Sequence, residues 1–114
     1  MASRQPLCED SSDGWPAQRL RVLIADDDSL TRNALVDLVL NEGSLELVGA
    51  VRDAEEAVRL ADLERPDVAL VDAGMPGGGG PKVARGIRER SPQTRVVALS
   101  ANADRGSVLE AALI

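Results

Sequence analysis

Leu20-Arg21-Val22-Leu23-Ile24-Ala25-Asp26-Asp27 is the stretch that decides the fold. A short run rich in Val, Leu and Ile ends abruptly in acid. This is the pattern of a buried parallel strand that delivers side chains to the carboxyl edge of its sheet. Val68-Ala69-Leu70-Val71-Asp72 repeats it further along the chain. Ligands of open α/β sheets bind at that edge. Neighbouring strands lie about 4.8 Å apart, so acids from two adjacent strands could share one divalent cation. Asp26, Asp27 and Asp72 are therefore candidates for a metal-assisted phosphoryl-acceptor site.

Outward from the first strand, helical and strand patterns alternate. Leu30, Ala34, Leu35, Leu38 and Val39 recur at helical spacing behind Asp28 or Ser29 as N-cap, with Asn41-Glu42-Gly43 as the stop. Leu45–Val51 reads as a strand interrupted by Glu46 and Gly49, which suggests an edge position. Asp53 and Glu56 have capping-box spacing ahead of a helix that Pro66 ends. A loop is expected over Ala73–Gly80, and then a helix with Pro81 in its first turn that Ser91-Pro92 breaks. Arg95–Leu99 reads as a fourth strand ending at Ser100, and a last helix is expected from near Asp104 to the end of the chain. Such alternation with short connections implies right-handed crossovers and a doubly wound parallel α/β sheet. The fourth strand is apolar yet has no later strand to flank it, so an unpaired edge is expected there.

Composition frames the rest. A chain of 114 residues is about one domain, and its 44% apolar residues are almost all aliphatic. Trp15 is the only aromatic residue, in a stretch, Met1–Arg19, whose Ser, Asp, Gln, Gly and Pro lack periodicity and read as a disordered tail; the domain proper is assigned to 20–114. A net charge of −6 without a basic cluster argues against nucleic-acid contact by this segment. One cysteine, Cys8, points to a reducing compartment. Neither a membrane-length apolar run nor a secretory leader is present, which makes the cytoplasm the expected location.

Three pieces together, Val22-Leu23-Ile24-Ala25-Asp26-Asp27-Asp28-Ser29, Pro66–Asp72 with Met75-Pro76, and Val96-Val97-Ala98-Leu99-Ser100-Ala101, resemble the receiver domain of two-component response regulators. The resemblance covers roughly Arg19 to Ile114. It implies a flavodoxin-like (CheY-like) sheet in the order 2-1-3-4-5. It also implies that Asp72 takes a phosphoryl group from a sensor histidine kinase or a small phosphodonor. Asp26, Asp27 and Asp72 would hold Mg²⁺ with the backbone carbonyl of Gly74. Ser100 would hydrogen-bond the phosphoryl group, and Ala101 would leave room for the donor. Such a domain signals rather than catalyses, and a homodimer and a transcriptional or enzymatic output module are compatible with it.

The chain departs from the family in one respect that bears on chemistry. Receivers continue to a parallel fifth strand, followed by a lysine that pairs with the phosphoryl group, and to a fifth helix. By this reading both elements are missing from the chain, which is expected to be a C-terminally truncated receiver. Its only lysine, Lys82, opens the third helix, so no residue fills the family lysine's place. Two other classes stay open. One is a receiver scaffold that binds partners without phosphorylation. The other is an aspartate-nucleophile phosphohydrolase, which usually carries a second aspartate where Gly74 stands.

Overall fold

The computed structural model describes residues 19–75, 79–102 and 108–113. The tail expected over Met1–Arg19 lies, up to residue 18, outside the described residues. The elements run β1 (Leu20–Ala25), α1 (Ser29–Leu40), β2 (Leu45–Val51), α2 (Ala54–Glu64), β3 (Val68–Asp72), α3 (Gly79–Arg90), β4 (Arg95–Asn102) and β5 (Val108–Leu113). They form one sheet in the order β2-β1-β3-β4-β5. The first four strands are parallel, as the strand–helix alternation requires.

Both faces of the central strands are covered, which explains why β1 and β3 alternate so weakly. On one face Leu23, Ala25, Ala69, Val71 and Val96 pack against Ala57 and Ala61 of α2 and Val83, Ala84 and Ile87 of α3. On the other, Val22 and Ile24 meet Leu35 and Val39 of α1. Small residues set the helix spacings. A Cβ on Gly86 would lie 2.7 Å from Val58 Cγ2, so glycine there lets α3 approach α2. Gly49 likewise faces Leu60, whose Cδ2 occupies the space an added Cβ would need. What reads as a polar interruption of an edge strand is thus the seat of an α2 side chain, and the β1–β2 register shifts beside it, between Val22 and Leu23. The edge position of β2 itself is as expected.

The end of the sheet opposite the strands' carboxyl tips is pinned by polar contacts. The Thr94 hydroxyl donates to the Pro66 carbonyl at 2.6 Å, so the buried Ser91 hydroxyl, 2.7 Å away, donates to Thr94. Arg21 donates to the Glu64 carbonyl and pairs with the Glu64 carboxylate at 2.7 Å, while its own N–H reaches Asp67. These contacts fix where β3 and β4 begin, and so where their far ends deliver side chains.

Three expectations are corrected. Val108–Leu113 is not helical; it is a strand antiparallel to β4, with Ala98 opposite Ala112 and Ala101 opposite Leu109. The fifth place in the sheet is therefore filled, although not by the family's parallel fifth strand, and the edge of β4 expected to be unpaired is paired. The physical reason is competition: a helix of about ten residues is marginal by itself, whereas pairing satisfies a row of open N–H and C=O groups on β4. The N-terminal part of that expected helix, 104–107, lies outside the described residues. Gly79 and Gly80, read as loop, are buried first-turn residues of α3. The expected stop of α1 at Asn41-Glu42-Gly43, by contrast, is where the helix ends: Asn41 caps it at φ −91°, its side-chain amide donating to the Asp37 carbonyl. Among the described residues no helix is long and apolar enough to cross a membrane.

Candidate metal centre

Register brings the acids together. Ala25 of β1 pairs with Val71 of β3, so the next residues, Asp26 and Asp72, leave the sheet side by side. Carboxylate oxygens of Asp26, Asp27 and Asp72 all lie within 4.8 Å of one another. Local bonds hold each backbone in place. The Asp26 N–H continues the ladder onto the Val51 carbonyl at 3.0 Å, and its carboxylate accepts the Asp28 N–H at 2.9 Å. The Asp72 carboxylate accepts the Gly74 N–H at 3.1 Å, while the Ala73 N–H donates to the Leu99 carbonyl of β4 at 2.8 Å. Met75 is buried in the core behind them and anchors the turn that follows Asp72.

Asp28 stands apart from the trio. It caps α1, accepting the Thr31 hydroxyl at 2.7 Å and the Thr31 N–H at 3.3 Å, bonds that lower its carboxyl's affinity for a proton. The acidic run thus divides its work: Asp26 and Asp27 face the neighbouring strand's acid, and Asp28 starts the helix.

Electrostatics show what the trio lacks. Asp26 is only 4% exposed, and burial raises its pKa, with the charges of Asp27 and Asp28 adding to the rise. Burial likewise raises Asp72, reinforced by Asp26 and Asp27 and opposed by the Gly74 N–H. Both groups are therefore harder to ionise in the fold than in the unfolded chain. The native state binds more protons than the unfolded state between the ordinary carboxylate pKa and the raised ones, so this site's contribution to stability falls as pH rises through that window. Metal-free Asp72→Asn should accordingly exceed the wild type in denaturant midpoint at about pH 7, and the gap should narrow toward about pH 4. A gap independent of pH would show that ionisation of the trio does not strain the fold.

A hard divalent cation fits such a site. The donors are all oxygen, partly desolvated and mutually repelling, with neither imidazole nor thiolate beside them among the described residues. The remaining candidates are placed by backbone. Leu99 pairs with Asp72, so Ser100 and Ala101 are the next two residues along β4. Gly74 is exposed, two residues after Asp72; a Cβ there would meet Asp72 Oδ1 at an ordinary 3.9 Å, so space does not demand glycine. Lys82 lines a separate groove of about 820 Å³ between α2 and α3, with Asp53, Glu55 and Arg85.

Sequence reading missed Arg32. From the first turn of α1 it turns back and donates from Nη1 to the Asp26 carbonyl at 2.8 Å. The only available signal was an arginine one turn inside a helix whose cap follows a doubled acid.

Comparison with known proteins gives the family and the fold. The model of the response regulator receiver domain matches residues 22–113. The Probable transcriptional regulatory protein NarL of Mycobacterium tuberculosis is 36% identical over 94 residues, 82% of this chain and 44% of that protein. Protein-glutamate methylesterase/protein-glutamine glutaminase 3 of Myxococcus xanthus is 39% identical over 89 residues, 78% of this chain and 25% of that protein. The solved signal receiver domain of NarL from Mycobacterium tuberculosis superposes with a TM-score of 0.70 at 38% identity, covering 75% of this chain and 68% of that one. The chain spans less than half the length of these two curated relatives.

Proposed function

The chain belongs to the response regulator receiver family, and from that premise we propose that Asp72 accepts a phosphoryl group, with Asp26, Asp27, Asp72 and the carbonyl of Gly74 holding Mg²⁺. The observation that carries this reading is the convergence of three carboxylates from β1 and β3 within 4.8 Å. Bound there, Mg²⁺ supplies the positive charge that lets an anionic carboxylate approach an anionic phosphodonor. The Gly74 N–H fixes Asp72 Oδ1 and so orients Oδ2 as the attacking oxygen. A bond forms between Oδ2 and phosphorus, the bond from phosphorus to the donor breaks, and the donor leaves with that electron pair. Ser100, one residue beyond the partner of Asp72 on β4, donates its hydroxyl to the new phosphoryl group, and Ala101 keeps the approach open. The donor is a sensor histidine kinase or a small acyl phosphate. The modified site biases an output module, transcriptional by analogy with the NarL relative.

The test is direct. The full chain incubated with Mg²⁺ and acetyl phosphate should gain the mass of one phosphoryl group, located on Asp72, and Asp72→Asn or chelation of the metal should abolish the gain. An unmodified wild type would reject phosphoacceptance. It would favour a second reading, a receiver scaffold that binds partners without chemistry.

A further inference from the structure

We infer that Arg32 is an internal counter-ion of the acidic trio, stabilising the metal-free site and weakening its hold on Mg²⁺; this rests on the metal reading above. The geometry is specific. Arg32 is the fourth residue of α1, half-buried, and its guanidinium folds back against the strand–helix loop to reach the Asp26 carbonyl at 2.8 Å. A backbone carbonyl needs only a neutral N–H, so satisfying it does not require a full positive charge. The same contact sets the guanidinium beside the residue whose carboxylate belongs to the trio, and its charge favours the ionised form of Asp26.

The direction of the effect on metal follows from counting charge. Three ionised carboxylates carry −3 without metal and −1 with a divalent cation bound. A fixed cation nearby therefore stabilises the empty site more than the filled one, and metal binding must overcome the difference. Arg32 keeps the acids tolerable side by side before metal arrives, and it holds Mg²⁺ affinity below what the same acids would otherwise reach. A domain whose occupancy is to follow metal and phosphodonor together is better served by moderate affinity than by permanent loading.

Three forms of the full chain separate this role from that of a loop strut: wild type, Arg32→Gln and Arg32→Lys. Gln is a comparable helix former that removes the charge, and Lys retains it. Mg²⁺ affinity is measured by calorimetric titration, and the metal-free melting temperature by thermal unfolding. Arg32→Gln should melt lower without metal and bind Mg²⁺ on the order of fivefold tighter, while Arg32→Lys stays near the wild type in affinity. A Gln variant that folds only with Mg²⁺ is the extreme form of the same result. A Gln variant with unchanged or weaker Mg²⁺ affinity, or a Lys variant that behaves like Gln, would leave Arg32 as a strut and overturn the inference. A wild type that ignores Mg²⁺ would instead sink the metal site itself, and the inference with it.

Discussion

Asp27→Asn should melt about 5 °C above the wild type in the absence of metal, and millimolar Mg²⁺ should raise the wild type while leaving the variant unmoved. Asp27 is the exposed member of the trio, and its charge adds to the raised pKa of both its neighbours, buried Asp26 and half-buried Asp72. Asn preserves the shape and removes that charge. Unit charges ~4 Å apart repel by ~4 kcal/mol at an effective dielectric near 20; solvent around an exposed partner reduces this to about 1 kcal/mol, or roughly 5 °C in a domain of this size. The same substitution removes one of the three anionic ligands proposed for Mg²⁺. Gain of stability and loss of metal response in one variant is hard to obtain from a structural acid, whose replacement ordinarily destabilises. If the variant melts at or below the wild type without metal, the trio is not strained and its acids are there to cap and turn.

The acids were legible because strand ends advertise themselves. An unbroken apolar run that stops in Asp26 or Asp72 shows a sharp polarity step, and parallel pairing brings two such ends together with little freedom of register. Val108–Leu113 was not legible in this way. The stretch contains Leu, Glu and Ala, good helix formers, and its strand state follows from the open edge of β4, a tertiary circumstance. Gly49 carried a signal that was read in part: the interruption did mark an edge strand, but its cause is Leu60 lying over it. Arg32 carried almost none, since a helical arginine is solvated by default and only the fold shows where its guanidinium ends.

Gly79→Ala should cost about 2 kcal/mol or more, lowering the melting temperature by on the order of 10 °C, with a weaker Mg²⁺ response besides. In the Gly77–Gly80 run, Gly79 sits at φ +68°, a conformation that charges a side chain about 1–2 kcal/mol. Space forbids it as well: a Cβ would lie 2.6 Å from the carbonyl oxygen of Ala73, a backbone atom that cannot swing aside. That carbonyl also accepts the Gly80 N–H at 3.2 Å, tying the first turn of α3 to the residue after Asp72. Displacing it would tilt Asp72 relative to Asp26 and Asp27, which is why stability and metal response should fall together. Gly43→Ala is the control. It has no positive φ and nothing within 4 Å of an added Cβ, so it should shift stability by no more than a few tenths of a kcal/mol. Equal, small effects at the two glycines would mean that α3 is free to start elsewhere. A large loss at Gly79 with an intact Mg²⁺ response would mean that the loop behind Asp72 yields without moving its carboxylate.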